Sequence, residues 1–320
     1  GSIKKMKRKA GIISISGLVL TKNEKAIIKA GKPWGIILFK RNIKNMSQCI
    51  QLINSIRATI NDKKYPILID EEGGRVTRLS DFLDNSLYNQ NYFGDLYSLN
   101  QDVGAAVYKN YINSMSIILK KIGININTAP VLDIIKPRTH KIIGNRGFSK
   151  NTKIISQLGD ICIKSYKNNK IETVIKHIPG HGGATSDTHY KLPIVSDSYE
   201  ILKTKDFKCF KNKNSLFAMT AHILYKKLDS KNCATHSKII ITKVIRKNIG
   251  FKGILMSDDI SMKALKYDIY ENAKRALEAG CNLVLYCSGK ASESQKLLKH
   301  LPYIDVFTAK KTSEFYKFLS

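Results

Sequence analysis

No two of the six cysteines, Cys49, Cys162, Cys209, Cys233, Cys281 and Cys287, form a Cys-x-x-Cys pair. Their irregular spacing excludes a zinc ribbon and a small disulfide framework, and predicts reduced, mostly buried thiols. Long apolar runs are missing too. The best of them, residues 10–20, falls well short of the roughly twenty needed to span a bilayer. Thr21-Lys22-Asn23-Glu24 then reads as a helix start rather than a leader cleavage site. Acidic residues are scarce: 25 Asp and Glu face 54 Lys and Arg, for a formal charge of +29. Such an excess raises the question of a polyanion partner. Outside Lys4, Lys5, Lys7, Arg8 and Lys9, however, the cations are scattered, with no interleaved aromatic stripe of the kind single-strand binders use. Lys, Ile and Asn are abundant together, which points to coding bias toward A and T. Specific nucleic-acid binding and membrane association are therefore not expected. Gly1 and Ser2 look like a cloning scar, so residues 1–9 are assigned to that scar and a basic extension, and residues 10–320 to one domain. The protein is expected to be cytoplasmic and monomeric.

What the chain does have is a repeated alternation. Eight short runs rich in β-branched and aliphatic residues occur at 11–17, 35–39, 65–70, 126–133, 173–177, 216–222, 253–258 and 282–287. They are nearly continuous in apolar residues, as strands buried on both faces should be. Between them, segments such as 46–60, 102–122, 150–167, 238–249 and 270–279 carry apolar residues at helical spacing. Strand and helix alternating eight times predict an α/β fold, a single-domain (β/α)8 TIM-type barrel. Asp70, Asp133, Lys176, His177, His222 and Asp258 each sit at or just past a predicted strand end, on the face where such barrels collect their functional groups.

Lys176-His177-Ile178-Pro179-Gly180-His181-Gly182, with Asp187-Thr188-His189 after it, concentrates the chemistry. Lys176 and His177 can donate into a pocket, and the glycines predict a loop that hinges. Asp187 two residues before His189 can orient the imidazole and support its charged form, which suits a general acid and base. His177 and His181 have the spacing of a helical metal pair, but Pro179 and Gly180 between them break a helix, so no metal is expected. In Ser257-Asp258-Asp259-Ile260 an apolar strand runs into two carboxylates. Asp258 is read as a nucleophile and Asp259 as the cap of a helix starting near Met262. Asp70-Glu71-Glu72-Gly73-Gly74-Arg75-Val76-Thr77-Arg78 reads as a ligand-binding loop, and its ending excludes a phosphate-binding P-loop.

These segments, together with Trp34–Asn42, Ala129–Asp133, Gly144–Phe148, Met219–His222 and Ala279–Cys281, resemble the short bacterial β-N-acetylglucosaminidases of glycoside hydrolase family 3 that act in peptidoglycan recycling. The resemblance implies a retaining β-hexosaminidase with Asp258 as nucleophile and His189, oriented by Asp187, as acid/base. It implies a sugar held at Asp70, Arg78, Arg146, Lys176 and His177, with no cofactor. The substrates implied are GlcNAc-anhydroMurNAc peptides. Two departures stand out: Glu71 where the family usually has Gln, and Asn282 where it usually has an acidic residue. A phosphorylase using the same residues and a non-catalytic basic binding protein are the alternatives.

Overall fold

The computed structural model describes residues 7–137, 142–185 and 192–320. Among them, strands β1 (Lys9–Ile13), β2 (Pro33–Leu38), β3 (Ile67–Ile69), β4 (Ile126–Asn127) and β5 (Glu172–Ile178) pair in sequence order. Two further strands, β6 (Ile194–Val195) and β8 (Leu224–Tyr225), form a small separate sheet. The barrel resumes with β7 (Phe217–Thr220), β9 (Ile254–Asp259) and β10 (Leu283–Leu285), and β10 pairs with β1 to close it. Every barrel pairing is parallel. Each of the eight predicted apolar runs overlaps a barrel strand, so the (β/α)8 expectation holds. β1 starts at Lys9.

The strands are apolar throughout because each has two dry faces. Inward residues such as Ile12, Ile37, Leu68, Val174, Met219 and Met256 fill the barrel, and outward ones such as Ile13, Ile36, Ile67 and Ile175 pack under the helices. At the N-terminal end of the barrel Trp34 stacks edge-on against Phe217, and Phe217 against Phe315 of α9 (Val306–Leu319). The Trp34 Nε1–H donates to Thr312 Oγ1 at 3.0 Å, so the indole is buried with its donor satisfied. This apolar plug closes one end of the barrel and leaves chemistry to the other.

The predicted helix start at Thr21 is a capping box: the Thr21 hydroxyl accepts from Glu24 N and the Glu24 carboxylate from Thr21 N, opening α1 (Lys22–Gly31). Helices α2 (Met46–Ile60), α4 (Gln101–Ile122), α5 (Thr152–Asn168) and α7 (Ile269–Ala279) lie within two residues of their predicted positions. The predicted helix at 238–249 winds instead as a π-helix over Ile240–Asn248. Its buried positions, Ile240, Ile241, Val244 and Ile245, form one face under either winding, so periodicity does not separate the two.

The excursion between β5 and β7 is tied down at several points. Thr185 and Ile194 exchange backbone hydrogen bonds in both directions at 3.0 Å, and β6 beyond Ile194 pairs with β8. Asp187 and His189 lie between these points, outside the described residues. Among the described residues no helix is long and apolar enough to cross a membrane.

Candidate active site

The C-terminal ends of the barrel strands surround a cleft of about 590 Å³. Asp70, Arg78, Arg146, Lys176, His177 and Asp258 all line it, so the structure brings together every described residue singled out from the sequence as catalytic or sugar-binding. They come from four places: the turn after β3, the 3₁₀ turn Gly144–Arg146 after β4, the end of β5 and the end of β9.

Asp258 exposes 21% of its side chain to the cleft. Burial alone would push its carboxyl up, but the His222 and His177 rings, the Asp259 N–H at 2.7 Å and Lys176 outweigh this and hold it below the ordinary aspartate range. An ionised carboxylate facing an open cleft is a competent nucleophile. His177 Nε2 lies 3.9 Å from Asp258 Oδ2, while His177 Nδ1 meets the fully buried Asp133 at 2.7 Å. Asp133 also accepts the backbone N–H groups of His177 and of His181, the latter at 2.8 Å. One buried carboxylate thus fixes both the ring and the main chain of this strand end.

On the opposite wall Asp70 Oδ2 accepts from Arg78 Nη2 at 3.2 Å, and Asp70 Oδ1 accepts from the Thr128 hydroxyl. The Arg78 and Arg41 guanidinium groups both stack on the Phe39 ring, at 5.1 and 4.8 Å from its centroid. Glu71 N–H donates to Asn127 Oδ1, and the Glu71 carboxylate accepts from Thr77 Oγ1, Arg78 N and Asn85 Nδ2 at 2.7–3.0 Å. Burial pushes this carboxyl up despite those donors. The departure at Glu71 therefore clasps the substrate-side loop from behind rather than entering the cleft. Asn282 is also away from the cleft, its Oδ1 accepting from Leu255 N and Arg246 Nη2.

Asp259 corrects the sequence expectation. No helix starts near Met262; the chain turns through 260–267, and α7 begins at Ile269 under an Asp268 cap whose side chain accepts from Glu271 N. Asp259 instead accepts from Ser261 N and Oγ and from Cys287 N, which commits both oxygens although the residue also lines the cleft. The metal-pair argument against a helix at His177 and His181 agrees with the structure, since His177 lies in β5 and His181 in the loop after it. Gly182 is dictated by close approach rather than by hinging: a Cβ there would lie 2.1 Å from the Ile134 carbonyl oxygen. Gly182→Ala should therefore lower stability by about 1–3 kcal/mol, the range for overpacking a filled site. Thermal and urea melts, with the urea slope unchanged, would register it.

Sequence reading left Glu72 without a role, weighed His181 as half of a metal pair, and gave Asp133 and His222 only a position. His222 Nε2–H donates to the Asp259 carbonyl at 2.9 Å, and Nδ1 meets Thr235 Oγ1 at 2.7 Å, so the ring braces the turn that delivers the Asp259 N–H to Asp258. His181 lines the cleft with Nδ1 buried and unpartnered, and burial pushes it down to about 4. It is neutral near pH 7 and has no proton to give as a cationic acid.

Over residues 6–310 the chain matches the family described as "Glycosyl hydrolase family 3 N terminal domain". The beta-hexosaminidase of Haemophilus influenzae is 31% identical over 292 residues, covering 89% of this chain and 81% of its own. That of Idiomarina loihiensis is 30% identical over 307 residues, covering 94% and 91%. Among solved structures, NagZ from Neisseria gonorrhoeae in complex with N-trifluoroacetyl-D-glucosamine is similar, with a TM-score of 0.88 at 28% identity, covering 97% of this chain and 90% of that one.

Proposed function

Because the chain belongs to glycosyl hydrolase family 3 and is a β-N-acetylhexosaminidase, we propose that it is a retaining exo-enzyme releasing terminal N-acetylglucosamine from β-1,4-linked anhydro-muramyl peptides. In this reading it acts in the cytoplasm as a monomer, within peptidoglycan recycling. The observation that carries the chemistry is the ionised Asp258 carboxylate at the end of β9, facing a cleft whose other walls hold Asp70, Arg78, Arg146, Lys176 and His177.

Two displacements at the anomeric carbon follow. Asp258 attacks it as the glycosidic bond breaks, and His189 protonates the departing oxygen. The neutral His189, oriented by Asp187, then takes a proton from water as that water displaces the Asp258 carboxylate. The neutrality of His181 favours His189 as the donor. Asp70, Arg78, Arg146, Lys176 and His177 hold the sugar. Release of N-acetylglucosamine from a β-linked aryl glycoside, compared with the matching glucoside, tests the assignment. Faster turnover of the glucoside would sink it. Formation of a sugar phosphate in phosphate buffer would replace hydrolysis by phosphorolysis on the same residues.

The +29 charge should be incidental to turnover. Within the cleft Arg78 is paired with Asp70, Lys176 and Arg146 share Glu72, and the ionised Asp258 offsets the remaining cation, so a neutral glycoside meets nearly balanced charge. Raising salt from roughly 50 to 200 mM should change kcat/KM for such a substrate less than about threefold, since screening acts between charges. A steeper response would reopen the basic-binding-protein reading.

A further inference from the structure

Glu72 takes no part in the chemistry above, yet it is buried between two of the proposed sugar-holding cations. Its Oε2 lies 2.7 Å from Lys176 Nζ, and its two oxygens accept from Arg146 Nε and Nη2 at 2.8 and 2.9 Å. Burial alone would push its carboxyl up; Lys176 and Arg146 reverse this and hold it well below the ordinary glutamate range. A rigid turn aims it. Glu72 N–H and Gly73 N–H both donate to the Val76 carbonyl, and a Cβ on Gly73, at φ +91, would lie 2.2 Å from the Tyr88 carbonyl oxygen.

Counting donors shows what this arrangement leaves. Of the three Lys176 N–H bonds, one meets Glu72 and one Thr128 Oγ1 at 3.1 Å, while Asp70 Oδ1 at 4.0 Å is beyond hydrogen-bond reach. Arg146 commits Nε–H and one Nη2–H to Glu72, and one Nη1–H to the Ile142 carbonyl. One Lys176 N–H and two Arg146 N–H groups remain for a ligand in the cleft that both residues line.

We propose that Glu72 is a positioning residue of the sugar site, a carboxylate that sets the spacing and aim of Lys176 and Arg146 so that their uncommitted N–H groups meet the sugar's hydroxyl and N-acetyl oxygens. It also keeps the Lys176 ammonium from swinging onto Asp70 or Asp258, where it would occupy the sugar's place. This inference rests on the sugar-binding reading of Lys176 and Arg146 given above.

The test combines Glu72→Gln, Lys176→Met and the double variant, each checked for a folded melt. Glu72→Gln should weaken binding of N-acetylglucosamine and raise KM for its nitrophenyl β-glycoside about 10- to 100-fold, with kcat changed less than about fivefold. In the Lys176→Met background the Glu72 change should cost much less than in wild type, since the two act through one contact. If Glu72→Gln does not fold, Glu72→Asp serves. It keeps the charge but is too short to span both cations, so KM should rise while kcat holds. An unchanged KM in the folded variant, or strict additivity with the Lys176→Met change, would overturn the inference. Wild-type protein that releases no N-acetylglucosamine would instead overturn the functional reading beneath it.

Discussion

Asp258→Ala should lose about four or more orders of magnitude in kcat while N-acetylglucosamine binding survives, the pattern expected when the group that forms the covalent bond is removed. Binding should survive because the proposed sugar-side contacts come from Asp70, Arg78, Arg146 and Lys176, none of which hydrogen-bonds to Asp258. The neighbouring carboxylate cannot stand in. Asp259 is held by Ser261 and by the Cys287 N–H, and burial pushes it up toward the protonated form. A fluorinated slow substrate should therefore leave its label on Asp258 in a mass-spectrometric digest. A label on Asp259 would contradict the hydrogen bonds that commit both of its oxygens.

His189→Ala should cost about two to four orders of magnitude on a natural disaccharide, the range for losing general acid catalysis. A nitrophenyl leaving group needs little protonation, so formation of the glycosyl-enzyme should suffer far less and its breakdown should become limiting. Azide, a nucleophile that needs no deprotonation, should then speed turnover. Asp187→Ala should show a milder form, since the imidazole remains but loses its orienting carboxylate. Equal losses on good and poor leaving groups, with no response to azide, would move the acid elsewhere. His181 would then need a proton that its burial denies it near neutral pH.

The barrel was legible because strands dry on both faces leave continuous apolar runs, and the cleft because polar residues at the ends of those runs must converge when the sheet closes. Side-chain direction within a turn was not legible. Glu71 and Glu72 are adjacent and chemically alike, yet one clasps a loop and the other bridges two cations, a difference created by the Gly73–Gly74 turn and by partners brought from β5 and the 3₁₀ turn at Gly144. Asp259 misled for a similar reason. Ser257-Asp258-Asp259 looks like a cap, but the cap signal in use is ten residues on from Asp258, where Asp268 precedes Glu271 by three.

The pairing of Thr185 with Ile194 fixes the two ends of the segment between them against each other. The chain departs from and returns to one place, and the returning end is secured again where β6 joins β8. Because the fastenings lie outside the β5–β7 pairing, residues inserted, deleted or exchanged between them should leave the register of β5 against β7 as it is. Asp258, by contrast, is part of β9, so moving it means re-registering a barrel strand. Over evolutionary time the two halves of the reaction are then unequally free to vary. On the proposed roles, the nucleophile Asp258 is inherited with the barrel, while the acid His189 belongs to a segment whose length can change between fixed ends, so descendants of one scaffold could change leaving-group preference without refounding the fold.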